Sequence, residues 1–228
     1  MGGKNPRWHI HPKSALTHAA AALVNDEPVG VYIDSALPES VTKQAQSWLA
    51  QVDTLSWVTS IDDLDLDAYT AGLIITHRPL SDHHRHLLQK CVLYRPQVLV
   101  IGMGCKKDVP FDELRQAFDT TLTEAGFAAE SVSALATVDL KATEPGLLEL
   151  AASLNLPLQI IPATKLVTAF PANGRDQLSQ SAAQEKLDLP GVSEPCALLV
   201  AGEGSQLLAA KRSFERCTVA IAQQGEIE

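Results

Sequence analysis

The stretch Val98–Leu114 reads VLVIGMGCKKDVPFDEL. Its opening, VLVIG, is almost wholly apolar, the pattern of a strand buried on both faces of a parallel sheet. From Pro110 the pattern changes. Phe111, Leu114, Phe118, Leu122 and Ala125 recur at three- and four-residue intervals, Pro110 suits a first helical turn, and Gly126 suits a C-terminal cap. The segment reads as strand, glycine turn, helix, the building unit of an α/β sheet.

Working outward, SALATVDL (133–140) is a strand candidate, a helix runs from about Pro145 to Leu154, and PLQIIPA (157–163) is a further strand. Short helices are predicted over TKLVTAF and SAAQEKL, and another from near Ser193 in VSEPCALLVAG. QLLAAK and CTVAIAQ are extended runs able to pair as a hairpin. Toward the N-terminus, SALTHAAAALV is an alanine-rich helix with Ser14 as N-cap, and PVGVYID is a strand. PESVTKQAQSWLAQV is a helix with Pro38 in its first turn; LSWVTSI and AGLIITH are strands separated by the acidic DDLDLD. Every histidine, tryptophan and tyrosine lies before residue 96. This shift predicts two α/β domains, residues 1–96 and 97–228, the second a layered sheet with helices on both faces.

Composition narrows the function. The chain has 228 residues, 46% of them hydrophobic and 20% charged. No run of about 18 apolar residues is present, so no membrane span is expected. MGGKNPRWHIHPKS lacks the apolar core of a secretory signal, which predicts a cytoplasmic protein. A net charge of -9 disfavours nucleic acid and gives no reason to expect an anionic membrane. The four cysteines (Cys91, Cys105, Cys196, Cys217) form no C-x-x-C pair, so reduced thiols are expected.

Three motifs carry candidate chemistry. In GMGCKK, Gly102 and Gly104 end a strand and feed a helix, an arrangement that leaves backbone N–H groups at a sheet edge, with Lys106 and Lys107 adding charge. The spacing fits neither G-x-G-x-x-G nor the phosphate-binding loop. A structural turn with solvated lysines and a ligand-facing turn both fit. Cys105 is a nucleophile only if its surroundings favour the thiolate; otherwise it is a small apolar residue. In TVDLKATEPGLLELA, Thr137, Asp139, Lys141, Glu144 and Gly146 crowd the junction of a strand and a helix. A lysine between two acids suits the holding of a substrate carboxylate while one acid moves protons; a capped helix start explains the same residues. In GVSEPCALLVAG, Glu194 sits at a helix start, where the dipole alone accounts for it, and Lys211 follows an apolar run. The cluster DHHRH offers His83, His84 and His86, with His77 upstream. Metal binding and the polar face of a helix backed by Leu87, Leu88 and Cys91 are the two readings.

Taken in order, GMGCKK, ALATVDLKATEPGLLELA, GVSEPCALLVAG and the CTVAIA strand resemble the C-terminal domain of the cobalamin-biosynthesis protein CbiG, also found as the stand-alone CobE, over about residues 99–223. The preceding PKSALTHAAAALVNDEPVGVYID, IITHRP and LYRPQVLVIGMGC resemble the central domain of CbiG. His77 stands where the family's IITDR-type segment carries an acid. The family's N-terminal domain, with its S-G-H-x-G-G-A-N stretch, has no counterpart in this sequence. A natural short form, an isolated pair of domains and half of a split enzyme are all consistent with that.

The resemblance implies a cytoplasmic enzyme of the anaerobic corrin pathway that opens the δ-lactone of cobalt-precorrin-5A and releases acetaldehyde, giving cobalt-precorrin-5B. It makes Asp139, Lys141 and Glu144 catalytic candidates. Gly102, Gly104, Cys105, Lys106, Lys107, Thr137, Gly146, Glu194 and Lys211 become candidates for binding the cobalt-precorrin macrocycle. The cobalt belongs to the substrate, so no metal or cofactor of the chain's own is implied. Other corrin-pathway enzymes or a separate N-terminal CbiG-like polypeptide are possible partners; nucleic acid and membrane are not expected. A non-catalytic corrinoid-binding or carrier module is the alternative, and a nucleotide-binding protein is disfavoured by the glycine spacing.

Overall fold

A computed structural model describes residues 7–50, 52–171, 178–179 and 190–225. The chain divides between Gln97 and Val98 into two units, each containing a five-stranded sheet.

In unit 1 the elements are β1 (Trp8–His11), α1 (Lys13–Val24), β2 (Val29–Ile33), α2 (Glu39–Leu49), β3 (Leu55–Val58), β4 (Ala71–Ile75) and β5 (Cys91–Pro96). The strand order is β1-β5-β4-β2-β3. β2 to β5 are parallel, and β1 closes one edge antiparallel to β5, with Trp8 opposite Pro96. Side chains alternate across a strand, so Val29, Val31, Leu73 and Val92 meet α1, whose Ala15, Ala19 and Ala22 permit close approach. Ile74 and Leu93 point the other way, onto Leu64 and Leu87. That second face is covered by 3₁₀ turns (Ile61–Asp63 and Asp82–Gln89) and the loops around them.

Several local expectations change. The N-cap of α1 is Pro12, not Ser14, and no side chain caps it. Pro38 and Pro110 likewise sit at N-cap positions, one residue before the first turn of their helices. β1 and β5 escape the sequence pattern because WHIH alternates with histidine and CVLYRP carries an arginine and a proline. Pro96 is tolerated as the last residue of its strand. DHHRH lies on a 3₁₀ segment whose start is capped by the Ser81 hydroxyl, which accepts the His84 N–H. Leu87 is buried there, while Cys91 opens β5 and does not extend the turn.

Unit 2 contains β6 (Leu99–Cys105), α3 (Phe111–Ala125), β7 (Val132–Val138), α4 (Pro145–Ser153), β8 (Leu158–Ile161) and α5 (Ala163–Ala169), then α6 (Ser193–Ala201), β9 (Gln206–Ser213) and β10 (Cys217–Gln223). The predicted SAAQEKL helix falls outside the described residues. The order is β8-β7-β6-β10-β9. β6, β7 and β8 are parallel; β10 is antiparallel to both β6 and β9, forming the expected hairpin. Val100, Ala136, Val138 and Ala222 pack on one face with Leu166 of α5 and Cys196 and Ala197 of α6. Ile101, Met103, Leu135 and Ile221 point oppositely and are equally buried, as are Leu114 and Phe118 of α3. Helices therefore cover both faces, as the unbroken apolar run of β6 requires. Gly126, at φ 72, closes α3 in the left-handed conformation. At Gly102 a β-carbon would lie 1.8 Å from the Ser193 carbonyl oxygen, so the start of α6 rests directly on strand backbone. Among the described residues, no helix is long and apolar enough to cross a membrane.

Candidate functional site at the carboxyl edge of unit 2

Because β6, β7 and β8 run in parallel, their carboxyl ends share one edge of the sheet. The pairing of Cys217 with Cys105 puts the start of β10 at the same edge. The loop after β6 is fixed there by groups from two other segments. Arg216 donates through Nη2 to the carbonyls of Lys107 (3.2 Å) and Asp108 (2.9 Å), and through Nη1 to Glu113 Oε1 (3.3 Å). The Lys106 N–H returns a bond to the Arg216 carbonyl at 2.8 Å. Asp108 holds a left-handed backbone conformation, φ 54. Its N–H donates to Glu144 Oε2 at 2.9 Å, which fastens the loop to the start of α4.

The other oxygen of Glu144 accepts from Lys141 Nζ at 2.9 Å. The Lys141 bond, supplemented by the Asp108 N–H and opposed by partial burial, holds the Glu144 carboxyl below the usual glutamate range. Glu144 is thus an ionised tie that orients a lysine and a loop, and a poor reservoir for protons. Asp139 differs. It follows β7 and is exposed; among the described residues, Oδ1 accepts only the N–H of Leu140 next to it (2.9 Å). Leu140 is itself 60% exposed. The edge therefore presents a braced ammonium group, an accessible carboxylate and an apolar side chain within one turn, Asp139–Lys141, with Lys106 and Lys107 exposed on the adjacent loop.

Other candidates lie deeper. Burial pushes the Cys105 thiol up to about 11, an effect that Lys141 and Arg216 only partly offset. Cys217, its cross-strand neighbour, is also raised to about 11. Cys105 is a neutral thiol at neutral pH, the apolar alternative of the two readings. Thr137 is fully buried and donates to the Met103 carbonyl at 2.8 Å. β-Carbons would lie 2.8 Å from Thr218 Oγ1 at Gly104 and 2.3 Å from the Val109 carbonyl oxygen at Gly146. With Gly102, these glycines permit close packing of the protein's own segments. Glu194 is 2% exposed. Its Oε1 accepts from Ser179 Oγ (2.8 Å) and the Lys211 N–H (2.8 Å), and its Oε2 from the Ser179 N–H (2.7 Å). It joins α6 to β9 and to residue 179, and Lys211 enters this arrangement through its backbone.

Sequence reasoning missed Arg216, Asp108 and Glu113. The local signal was a lone arginine just before the CTVAIAQ strand, and nothing in its spacing tied it to a loop 108 residues away. The histidine cluster also forms differently from the expectation. His77 is buried beside Asp34, while the ligand atoms of Asp62, His83 and His84 lie within 4.8 Å of one another. His84 bonds Asp62 Oδ1 at 2.7 Å and Ser81 Oγ at 2.9 Å, so hydrogen bonds within the protein hold it in this position.

Residues 2–96 match the cobalamin biosynthesis central region, and residues 99–222 match the cobalamin synthesis G C-terminus. A cobalt-precorrin-5A hydrolase from Priestia megaterium is 31% identical over 227 residues, covering 96% of this chain and 56% of that protein. The chain thus spans little more than half of that relative's length. Protein CobE from a Sinorhizobium species is 27% identical over 129 residues, covering 54% of this chain and 79% of that protein. A crystal structure of CobE, described as a protein of the vitamin B12 biosynthetic pathway, superposes with a TM-score of 0.50 and 35% identity, covering 56% of this chain and 91% of that one. The second match contains the whole carboxyl edge from Lys106 to Arg216, the first contains the sheet of unit 1, and on both counts the chain belongs to the CbiG family of cobalamin-biosynthesis proteins.

Proposed function

We propose that the chain acts on cobalt-precorrin-5A at the carboxyl edge of unit 2, opening its δ-lactone with loss of acetaldehyde to give cobalt-precorrin-5B. The observation that carries this reading is the grouping of Lys141, Asp139 and Leu140 in one turn, on a chain of this family. The substrate is a macrocycle with apolar faces and a rim of acetate and propionate groups. A braced ammonium beside an apolar side chain suits such a rim.

The chemistry has two parts. Water adds to the lactone carbonyl, and the C–O bond opens to leave a carboxylate and an alcohol on the two-carbon fragment. Removal of the alcohol proton then lets the carbon–carbon bond break. The fragment leaves as acetaldehyde, and the electron pair stays on the macrocycle, where it takes a proton. Asp139 is the acid/base in this scheme because its carboxylate is accessible. Lys141 stabilises the developing oxyanion or anchors a rim carboxylate, and Glu144 keeps Lys141 in place. Lys106 and Lys107 supply further cationic contacts. The cobalt is the substrate's own.

The test is anaerobic incubation of the chain with cobalt-precorrin-5A, trapping acetaldehyde and following the corrinoid spectrum, repeated with Lys141→Ala. Acetaldehyde release by the wild type and a loss of at least about tenfold in the variant, equivalent to about 1.4 kcal/mol, supports the assignment. Binding without acetaldehyde supports the carrier alternative.

A further inference from the structure

The sheet of unit 1 has a second polar edge, and most of its members are inside the fold. In the order β1-β5-β4-β2-β3 the chain leaves β2 for β3 on one side, then returns to place β4 and β5 on the other. The crevice outside the carboxyl ends of β2 and β4 is therefore the point where the winding reverses, the usual ligand position in an open α/β sheet. Asp34 follows β2 and Thr76, His77 and Arg78 follow β4, with Arg95 near the end of neighbouring β5. Asp34, Thr76, His77 and Arg95 are all buried.

These groups brace one residue. Asp34 Oδ1 accepts the Ala36 N–H at 3.0 Å, and Oδ2 accepts Thr76 Oγ1 at 2.7 Å. The same Oδ2 lies 3.5 Å from Arg78 Nε. The Arg78 N–H donates to Thr76 Oγ1 at 3.0 Å, and its carbonyl accepts from Arg95 Nη1. The backbone of Arg78 is thus held at both its N–H and its carbonyl, and its side chain is ion-paired to Asp34 yet 54% exposed. Burial lowers His77 to about 4, against the pull of Asp34, so it adds no charge near neutral pH.

We propose that Arg78 is a carboxylate-binding residue, held by Asp34 so that the outer end of its guanidinium meets a monoanionic ligand at the β2–β4 crevice. Fixing the side chain in advance lowers the entropy cost of binding. Asp34, already beside the guanidinium, disfavours a dianionic phosphate and leaves a single carboxylate as the matching partner. That the carboxylate belongs to a corrin rim rests on the function proposed above; the anion site itself does not.

The test is an NMR titration of the full chain with propionate, following the Arg78 guanidinium and the amides of Thr76 and His77, with propionamide at matched ionic strength as control. A saturable shift with propionate, absent with propionamide and weakened at least about tenfold in Arg78→Gln, is the expected result. Arg78→Lys, which keeps the charge but not the planar group, gives an intermediate value. Equal responses to propionate and propionamide, or no saturable response, overturn the proposal. A corrin with free carboxylates is then added. If it displaces propionate and its methyl ester does not, the corrin assignment stands; if neither does, the corrin assignment fails and the carboxylate site remains.

Discussion

The two sheets place charge at their carboxyl edges in different ways. At the β2–β4 crevice of unit 1 the acid, Asp34, is inside and the cation, Arg78, reaches out. At the edge of unit 2 an acid, Glu144, also braces a cation, but a second acid, Asp139, stands exposed one turn away. A lone braced cation can bind an anion. A braced cation with an accessible carboxylate can bind and also move protons. On the function proposed above, the difference assigns anchoring to unit 1 and chemistry to unit 2.

The largest expected effect comes from disturbing the frame on which the unit 2 edge is built. Gly102→Val forces a side chain into the Ser193 carbonyl. It should destabilise the protein by about 3 kcal/mol or more, at the upper end of overpacking costs, read as a fall in the denaturation midpoint. A variant within about 0.5 kcal/mol of wild type, a shift typical of surface substitutions, would mean that α6 does not rest on β6. Asp34→Ala should cost about 2 kcal/mol, because Thr76 and the Ala36 N–H lose their acceptor and Arg78 its counterion. If chemical denaturation shows little change, unit 1 is not braced as described.

Glu144→Gln should be milder, about 1 kcal/mol or less for a partly exposed pair, and pH-dependent. The folded-state carboxyl lies below its unfolded value. The tie therefore contributes fully above the unfolded glutamate value of about 4.3 and is lost as pH falls through the folded value. Wild type and variant should converge in stability as the pH is lowered through that window; a constant gap down to the lowest pH would assign the bond no ionic component. The smallest effect is expected for Cys105→Ala, which removes a neutral thiol and should leave turnover within about threefold, under 1 kcal/mol. A larger loss in the rate assay would restore Cys105 to the chemistry.

How much was legible in the sequence follows from range. β6, α3 and α4 were readable because their signals are local: an unbroken apolar run, a helical period, a proline at the start and a glycine in the left-handed position at the end. The pairing of Lys141 with Glu144, three residues apart, lay within the same reach. β1 was hidden because WHIH alternates with histidine, and β5 because Arg95 is buried by tertiary contacts that no local pattern encodes. Arg216 and Asp34 were missed for a related reason, since each acts on a loop or strand end far along the chain. At Gly102 and Gly146 the group that approaches closely is the protein's own backbone, from segments that no local pattern points to.

The division of roles is tested most directly by steady-state turnover of cobalt-precorrin-5A under anaerobic conditions, with acetaldehyde as readout, for Asp139→Asn and Arg78→Gln side by side. The account predicts that Asp139→Asn lowers kcat at least about a hundredfold, within the usual range for loss of a general acid/base, with corrinoid binding retained. Arg78→Gln should raise KM more than it lowers kcat. Full turnover by Asp139→Asn, or a loss confined to kcat in Arg78→Gln, would contradict the assignment of chemistry to unit 2 and anchoring to unit 1.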